Sequence, residues 1–278
     1  MPILDWKASG RNENHKAICM EYIVDKKKQK EFLTFRLWDS LKKIFIPAVE
    51  QPIKLGKILK IDTHAHWLPG VDDGARSTKE GLKMVESLME LGFTHLIATP
   101  HIKKNFFENE PENLMYAFKD FEKEVKKRNW PITLSLAAEY MIDEGFEAHL
   151  NKGLLTLREN MVLIEMSFFQ AYQGIEDLLF QIQLKGYQPV IAHPERYTYY
   201  FRKWDQLQRF KEMGCFFQMN IPSLTGFYGK DVMESAKRIL NKGWYNFAGT
   251  DLHHPKQLAS LVTTSFPSGL QNTTHFNV

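Results

Sequence analysis

The residues with the clearest chemical potential lie between Ile61 and Arg76, which read Ile-Asp-Thr-His-Ala-His-Trp-Leu-Pro-Gly-Val-Asp-Asp-Gly-Ala-Arg. His64 and His66 are two apart, so an extended chain presents both imidazoles on one face, a spacing that suits one divalent ion. Asp72 and Asp73 follow a break at Pro69-Gly70 that can turn a carboxylate back to the same mouth. A His-x-His pair also occurs as two hydrogen-bonded strand-end residues, so the pair alone does not separate a ligand role from a structural one. The distribution of the other histidines bears on that choice.

The elements that must position these residues alternate with regularity. Apolar or β-branched runs occupy 58–61, 95–99, 132–138, 161–166, 189–192, 215–219 and 245–248. Helical patterns lie between several of them: 77–91 closes at Gly92, and the patterns starting at 176, 202 and 231 close at Gly186, Gly214 and Gly243. Ser77 with Glu80 fits a capping box, and 111–128 reads as a further helix. Strand, helix and glycine stop in repetition predict a parallel α/β sheet with helices outside. Seven or eight such units close most economically into a barrel, where chemistry sits at the carboxyl ends of the strands.

Those ends carry metal-ligand types. In chain order they are His64 and His66, then His101, Glu139, Glu165, His193 with Glu195 and Arg196, Asn220, and finally Asp251 with His253 and His254. Six of the ten histidines fall there, whereas His15, His95, His149 and His275 do not, which favours a shared site over scattered structural histidines. His95 and His149 are read as surface or packing residues. Glu165 suits either a ligand or a carboxylate anchoring a loop amide.

Composition sets the outer limits. The chain has 278 residues, 44% hydrophobic and 25% charged, enough for one large core of barrel size or two smaller ones. No apolar run approaches a membrane span and no signal segment opens it, so a cytoplasmic protein is expected. Residues 1–57 carry 12 Lys or Arg against 7 Asp or Glu, a net +5, so residues 58–278 carry a net −2. A body without a basic stripe argues against nucleic-acid binding. The extension 1–57, partly helical or disordered, joins Lys26, Lys27, Lys28 and Lys30 to Phe32, Phe35, Trp38, Leu41 and Phe45 at helical spacing. Residues 26–46 are expected either to pack on the main domain, 58–278, or to meet an acidic membrane surface or partner.

Cys19 and Cys215 are the only cysteines, and neither is followed by the arginine that a thiolate phosphatase loop requires. Cys215 is read as a buried strand residue. No glycine-rich phosphate loop of nucleotide-binding type is present.

The ordered motifs carry a resemblance. Asp62-x-His64-x-His66-x-Leu68-Pro69-Gly70-x-Asp72-Asp73-Gly74-Ala75, Ala98-Thr99-Pro100-His101, Ala138-Glu139-Tyr140, Ala192-His193-Pro194-Glu195-Arg196, Ser223-Leu224-Thr225-Gly226-x-x-Gly229-Lys230 and Thr250-Asp251-Leu252-His253 together resemble the PHP-family bacterial tyrosine-protein phosphatases of capsule and exopolysaccharide systems, the CpsB/YwqE-like group. The resemblance covers roughly residues 58–262. It implies a distorted seven-stranded (β/α)7 TIM-like barrel of PHP fold with an N-terminal extension. It also implies up to three divalent ions, manganese first, with iron or zinc as alternatives. Carried across by motif, His64, His66, Glu139 and Asp251 hold one ion. Glu139 bridges to a second held by His193, and Asp73, His101 and His253 serve the remaining position. Arg196 is similar to the residue that meets the phosphate. Two departures stand out: Glu139 is followed by Tyr-Met where many members have Val-Arg, and His254 is an additional histidine.

Hydrolysis follows from the same residue types. A phosphomonoester dianion repels hydroxide, and closely spaced cations offset that charge while acidifying water. Mixed imidazole and carboxylate ligands suit manganese, iron or zinc. Arg196 can brace the phosphoryl oxygens, with Lys230 a weaker candidate for that contact, and Asp251 and His253 complete the catalytic set. A protonated His253, or a metal-bound water, can assist a phenolate to leave. The aromatics Phe106 and Phe107 in 103–110, and Phe227 with Tyr228, suit either a lid over a phosphotyrosine ring or loops packed on themselves. The implied partner is a phosphotyrosine protein, a polysaccharide-assembly tyrosine kinase. The alternatives are a small-molecule phosphatase of histidinol-phosphate type, a phosphodiesterase, and a non-catalytic metal-stabilised scaffold.

Overall fold

The computed structural model describes residues 55–262 together with Leu270 and Thr273. All of them fall in one compact unit, Pro52–Val278. The expected helix over 26–46, and with it Cys19, lies outside the described residues.

The described chain is a curled sheet of parallel strands flanked by helices. The strands are β1 (Ile61–Ala65), β2 (His95–Ala98), β3 (His101–Ile102), β4 (Thr133–Leu136), β5 (Glu139–Met141), β6 (Met161–Glu165), β7 (Gln188–Ala192), β8 (Phe216–Asn220) and β9 (Phe247–Gly249). They form a three-stranded sheet, β1-β2-β4, and a six-stranded one, β3-β5-β6-β7-β8-β9. Seven runs were expected; β3 and β5 are additional short strands that follow the 95–99 and 132–138 runs, each after a break in the ladder. One break is at Thr99-Pro100, where proline has no N–H for the ladder, and the other is at Ala137-Ala138. Backbone bonds carry both runs across the breaks: Thr99 N donates to Ala65 O at 3.0 Å, and Glu139 N donates to Pro100 O at 3.0 Å.

The first run lies later than its apolar letters suggest. Leu55–Ile58 is a helical turn and the strand is Ile61–Ala65, every residue of which is buried despite the sequence Ile-Asp-Thr-His-Ala. Its polar groups are satisfied across the sheet. Asp62 accepts from Thr250 N at 2.8 Å and from Thr250 Oγ1 at 2.6 Å, and Thr63 Oγ1 donates to Ala248 O at 3.0 Å. The two ends of the strand series meet here: Asp251 N donates to His64 O at 2.6 Å, and His66 N donates to Leu252 O at 2.9 Å.

Helices Thr78–Glu90, Pro111–Lys126, Ile175–Leu184, Trp204–Glu212 and Lys230–Asn241 lie between strands as predicted. Ser77 caps the first by accepting from Glu80 N, while the Glu80 carboxylate takes Arg76 N rather than the cap's own N–H. Leu82, Val85 and Leu88 turn one face of that helix into the core, as a 3.6-residue period requires. No helix among the described residues is long and apolar enough to cross a membrane.

Candidate metal centre

The carboxyl ends of the strands bring the ligand types together. Register places His101 of β3 opposite Glu139 of β5. The bond between Asp251 and His64 brings the last motif against the first. Two of the loop-end residues have left-handed backbones, His193 at φ 33° and Asp251 at φ 50°. Such a conformation is costly for residues with a Cβ and turns each side chain inward from a strand end.

Three groups of donor atoms converge. His64, His66, Glu139 and Asp251 form one, all buried; His66, Asp73, His101 and His253 form a second; His101, Glu139 and Glu165 form a third. His193 adjoins them, with Nε2 at 3.0 Å from Glu139 Oε1 and 3.6 Å from Glu165 Oε1. Glu165, left open by the sequence, thus faces the cluster. Asp72 and Asp73 divide their work: Asp72 accepts from His66 Nδ1 at 2.7 Å and from His101 N at 3.1 Å, whereas Asp73 faces His253 and His101. His254 is exposed and outside the three groups.

The fit to cations can be tested on the donors themselves. His64 Nδ1 is 2.9 Å from Gln218 Oε1, His66 Nδ1 faces Asp72, and His253 Nδ1 is 3.0 Å from the carbonyl of Asp251. Each acceptor fixes the proton on Nδ1 and leaves the Nε2 lone pair to point inward. As a result His64 Nε2 and His66 Nε2 face each other at 3.1 Å, which is unfavourable for two lone pairs without a positive charge between them. Carboxylate oxygens of Glu139 and Asp251 stand 3.1 to 3.5 Å from these nitrogens. Ligand atoms ~2.1 Å from a shared ion lie ~3.0 to ~3.4 Å apart, so the spacing is that of a coordination shell. Glu139 Oε2 and His101 Nδ1 are buried without a hydrogen-bond partner, although they lie 3.1 Å apart.

The electrostatics agree. Burial alone would raise the pKa of Glu139 and Asp251, yet the surrounding imidazoles hold both well below the ordinary carboxylate range. Burial pushes His193 down to about 4, and burial with the charge of Glu139 pushes Glu165 up to about 8. Against the effect of burial, Glu139 and Asp251 draw the pKa of His64 up and Asp72 that of His66, so the cluster favours positive charge, as protons or as cations.

Two clefts open on this centre. One, about 330 Å³, is lined by Asp73, His101, Glu165, Arg196, Tyr228 and His253 among others. Arg196 Nη1 donates to Asp251 Oδ2 at 2.7 Å. The other cleft, about 470 Å³, shares Asp73, His101, Glu165 and Phe168 with the first and continues to Phe106, Phe107 and Phe169. Phe107 stacks on His101 with ring centroids 5.6 Å apart, and Phe106 is exposed. Lys230 is exposed at the start of its helix and does not line either cleft. His95, bonded to Ser135 Oγ at 2.7 Å, and His149, against the Tyr140 ring, are structural as expected.

Sequence reasoning missed Gln218 and Phe168, and named Glu195 at a strand end without giving it a role. Gln218 orients His64 and accepts from His193 N at 3.3 Å. Glu195, buried, accepts from Asn220 N and Ser223 Oγ, each at 2.8 Å, and from Tyr245 OH at 2.9 Å, tying its own motif to the Ser223 motif and to the segment before the last strand. Two polar residues at alternate positions of a buried strand, Gln218 and Asn220, were the signal available.

The likenesses to known proteins run through the same segments. A family model described as capsular polysaccharide synthesis, CpsB/CapC, matches residues 60–265. Tyrosine-protein phosphatase YwqE of Bacillus subtilis is 33% identical over 198 residues, covering 70% of this chain and 78% of the relative. Tyrosine-protein phosphatase CpsB of Streptococcus pneumoniae is 27% identical over 201 residues, covering 70% and 83%. A crystal structure described as YwqE from B. subtilis and CpsB from S. pneumoniae, unique metal-dependent tyrosine phosphatases, superposes with a TM-score of 0.67 at 30% identity, covering 75% of this chain and 89% of the other. With the motifs in order, the donor groups converged and three-quarters of the chain matched in fold, this protein belongs to the CpsB/CapC family of capsular polysaccharide synthesis.

Proposed function

We propose that the protein is a metal-dependent phosphotyrosine phosphatase. The observation that carries the reading is the convergence of three donor groups on one cleft that also holds Arg196. His64, His66, Glu139 and Asp251 would hold one ion, Glu139 and His193 a second, and Asp73, His101 and His253 the remaining one. Glu165 is added as a contributor beside His193. Manganese suits this mixed donor set, with iron or zinc as alternatives. When bound, the ions supply positive charge against the phosphoryl oxygens and acidify water.

The chain's own residues do the rest. Arg196 presents its planar fork to the phosphoryl oxygens, held at one nitrogen by Asp251. Asp251 divides its carboxylate, with Oδ1 toward the imidazoles and Oδ2 toward Arg196 and Asn220 Nδ2, the latter at 2.6 Å. The departing phenolate is an easy leaving group because tyrosine's pKa is about 10; its proton would come from water in the cleft that His253 lines, because His253 itself is committed, Nε2 to the ion and Nδ1–H to the Asp251 carbonyl. Lys230, two residues beyond Tyr228, is the weaker candidate for a substrate contact.

The finer architecture belongs to the same proposal: the seven strand runs constitute a distorted (β/α)7 barrel over a catalytic domain of 58–278, with 1–57 as an extension. The proposed setting is cytoplasmic and the proposed substrate a polysaccharide-assembly tyrosine kinase, in keeping with the family's place in capsule synthesis. Purified protein, with and without manganese, is assayed on p-nitrophenyl phosphate, a phosphotyrosine peptide and histidinol phosphate. Manganese-dependent turnover favouring the peptide is expected. A preference for histidinol phosphate points to the small-molecule class, and no turnover with metal bound leaves only a scaffold.

A further inference from the structure

The conformation of Arg196 is more constrained than an ion pair alone would make it. Its guanidinium carbon lies 4.5 Å from the centroid of the Phe168 ring and 4.2 Å from that of Tyr228. One nitrogen is bound to Asp251, and the side chain is 21% exposed. Two contacts are thus cation–π and one is charge-assisted, which between them restrict both the tilt and the reach of the guanidinium.

Phe168 comes from the segment that follows Glu165 of β6, where it also stacks on His193 at 5.6 Å and 25°. Tyr228 comes from the Gly226-Phe-Tyr-Gly229 turn, whose two glycines have positive φ, 80° and 97°. That turn is part of the one motif whose role the ligand set does not explain. Phe168 lies at the junction of the two clefts and lines both, so its ring can either brace the arginine or touch a substrate ring directly. The closeness of the ring to the guanidinium favours the brace.

We infer that Phe168 and Tyr228 are positioning residues that clamp the Arg196 guanidinium so that its remaining donors face the phosphoryl group at a fixed distance from the metal centre; this rests on the phosphatase reading above. A long arginine otherwise loses rotamer freedom each time it grips its ligand, and a prearranged one does not. Misalignment of such a donor is felt most where the phosphoryl oxygens carry transition-state charge, so the loss falls on turnover more than on ground-state binding.

The test is a mutant cycle on manganese-loaded protein with p-nitrophenyl phosphate, using Phe168→Leu and Tyr228→Leu, each alone and combined with Arg196→Ala. Each leucine variant is expected to lower kcat about tenfold while KM stays within about twofold, the scale of a partly desolvated cation–π contact. Phe168→Tyr, which keeps the ring face, recovers most of the loss. In the Arg196→Ala background the leucine substitutions change kcat/KM by less than about twofold, because nothing remains to be clamped. Losses that persist at full size without the arginine, or that fall on KM as direct contact with a substrate ring would make them, overturn the clamp while leaving the phosphatase reading intact. Absence of turnover by the manganese-loaded parent overturns the phosphatase reading, and the clamp with it.

Discussion

Gly249 closes β9 against β1, and replacing it by alanine probes how tightly the first and last strands must meet. A Cβ at 249 would stand 2.5 Å from His64 Cβ, 2.6 Å from His64 N and 3.0 Å from His64 Cα. These atoms belong to a backbone and its root and have no flexible end to swing aside, so reaching ordinary carbon contact requires the strands to part by about 1 Å. Bonds that cross this seam then lengthen beyond useful range: Asp251 N to His64 O, now 2.6 Å, and Thr250 N to Asp62 Oδ1, now 2.8 Å. Overpacking costs about 1–3 kcal/mol, and each buried group left unpaired about as much again. With partial relaxation the total is roughly 3–6 kcal/mol, or roughly 10–20 °C in Tm for a domain of this size. Gly243→Ala is the control, since its Cβ meets nothing within 4 Å and only its φ of 65° opposes a side chain; about 1–2 kcal/mol is expected there. Thermal unfolding in chelator and metal content by mass spectrometry give the comparison. A Gly249→Ala protein no less stable than Gly243→Ala, and holding its full complement of metal, would refute the close-approach argument.

Other outcomes follow from individual residues. Gln218→Leu removes the acceptor that fixes the His64 tautomer and should weaken metal binding by about 10–100-fold in a titration, with His64→Ala losing the ion outright. Cys215 is buried and its thiol is pushed up to about 12, so it should resist alkylation at pH 8 until the protein unfolds, and Cys215→Ser should leave phosphatase activity within about twofold. Lys211, bonded to Asn246 Oδ1 and lying over Phe216 and Phe217, is lowered by burial from 10.5 to about 8. The unfolded chain therefore binds the extra proton between those values, and stability rises with pH from about 8 toward 10.5. Urea midpoints at pH 8 and pH 10 should show that rise in the parent and a smaller one in Lys211→Met.

Much of this centre was legible in the chain because each strand ends on a change from apolar to ligand-type residues, which survives any error in strand limits. The first strand shows the exception. Its buried Asp62, Thr63 and His64 look unlike a core strand, since their partners Thr250, Ala248 and Gln218 lie more than 150 residues away and leave no local trace. Glu165 was ambiguous for a related reason: its role depends on Glu139 and His193 arriving from two other strands. Phe168 gave no signal and Tyr228 only an ambiguous one, because an aromatic residue in a loop reads the same whether it covers an arginine, a substrate ring or another part of its own loop.

The seam where Asp251 hydrogen-bonds His64 has a consequence for how the protein is made. A polypeptide emerging from the ribosome presents His64 and His66 early, but the carboxylate that completes their group is synthesised 185 residues after His66. Half-built chains thus offer only weak, incomplete chelation, and a cation is captured when the final strand has seated. Metal retention is accordingly a readout of finished folding, and ending the chain before residue 245 should silence the protein as thoroughly as deleting a ligand.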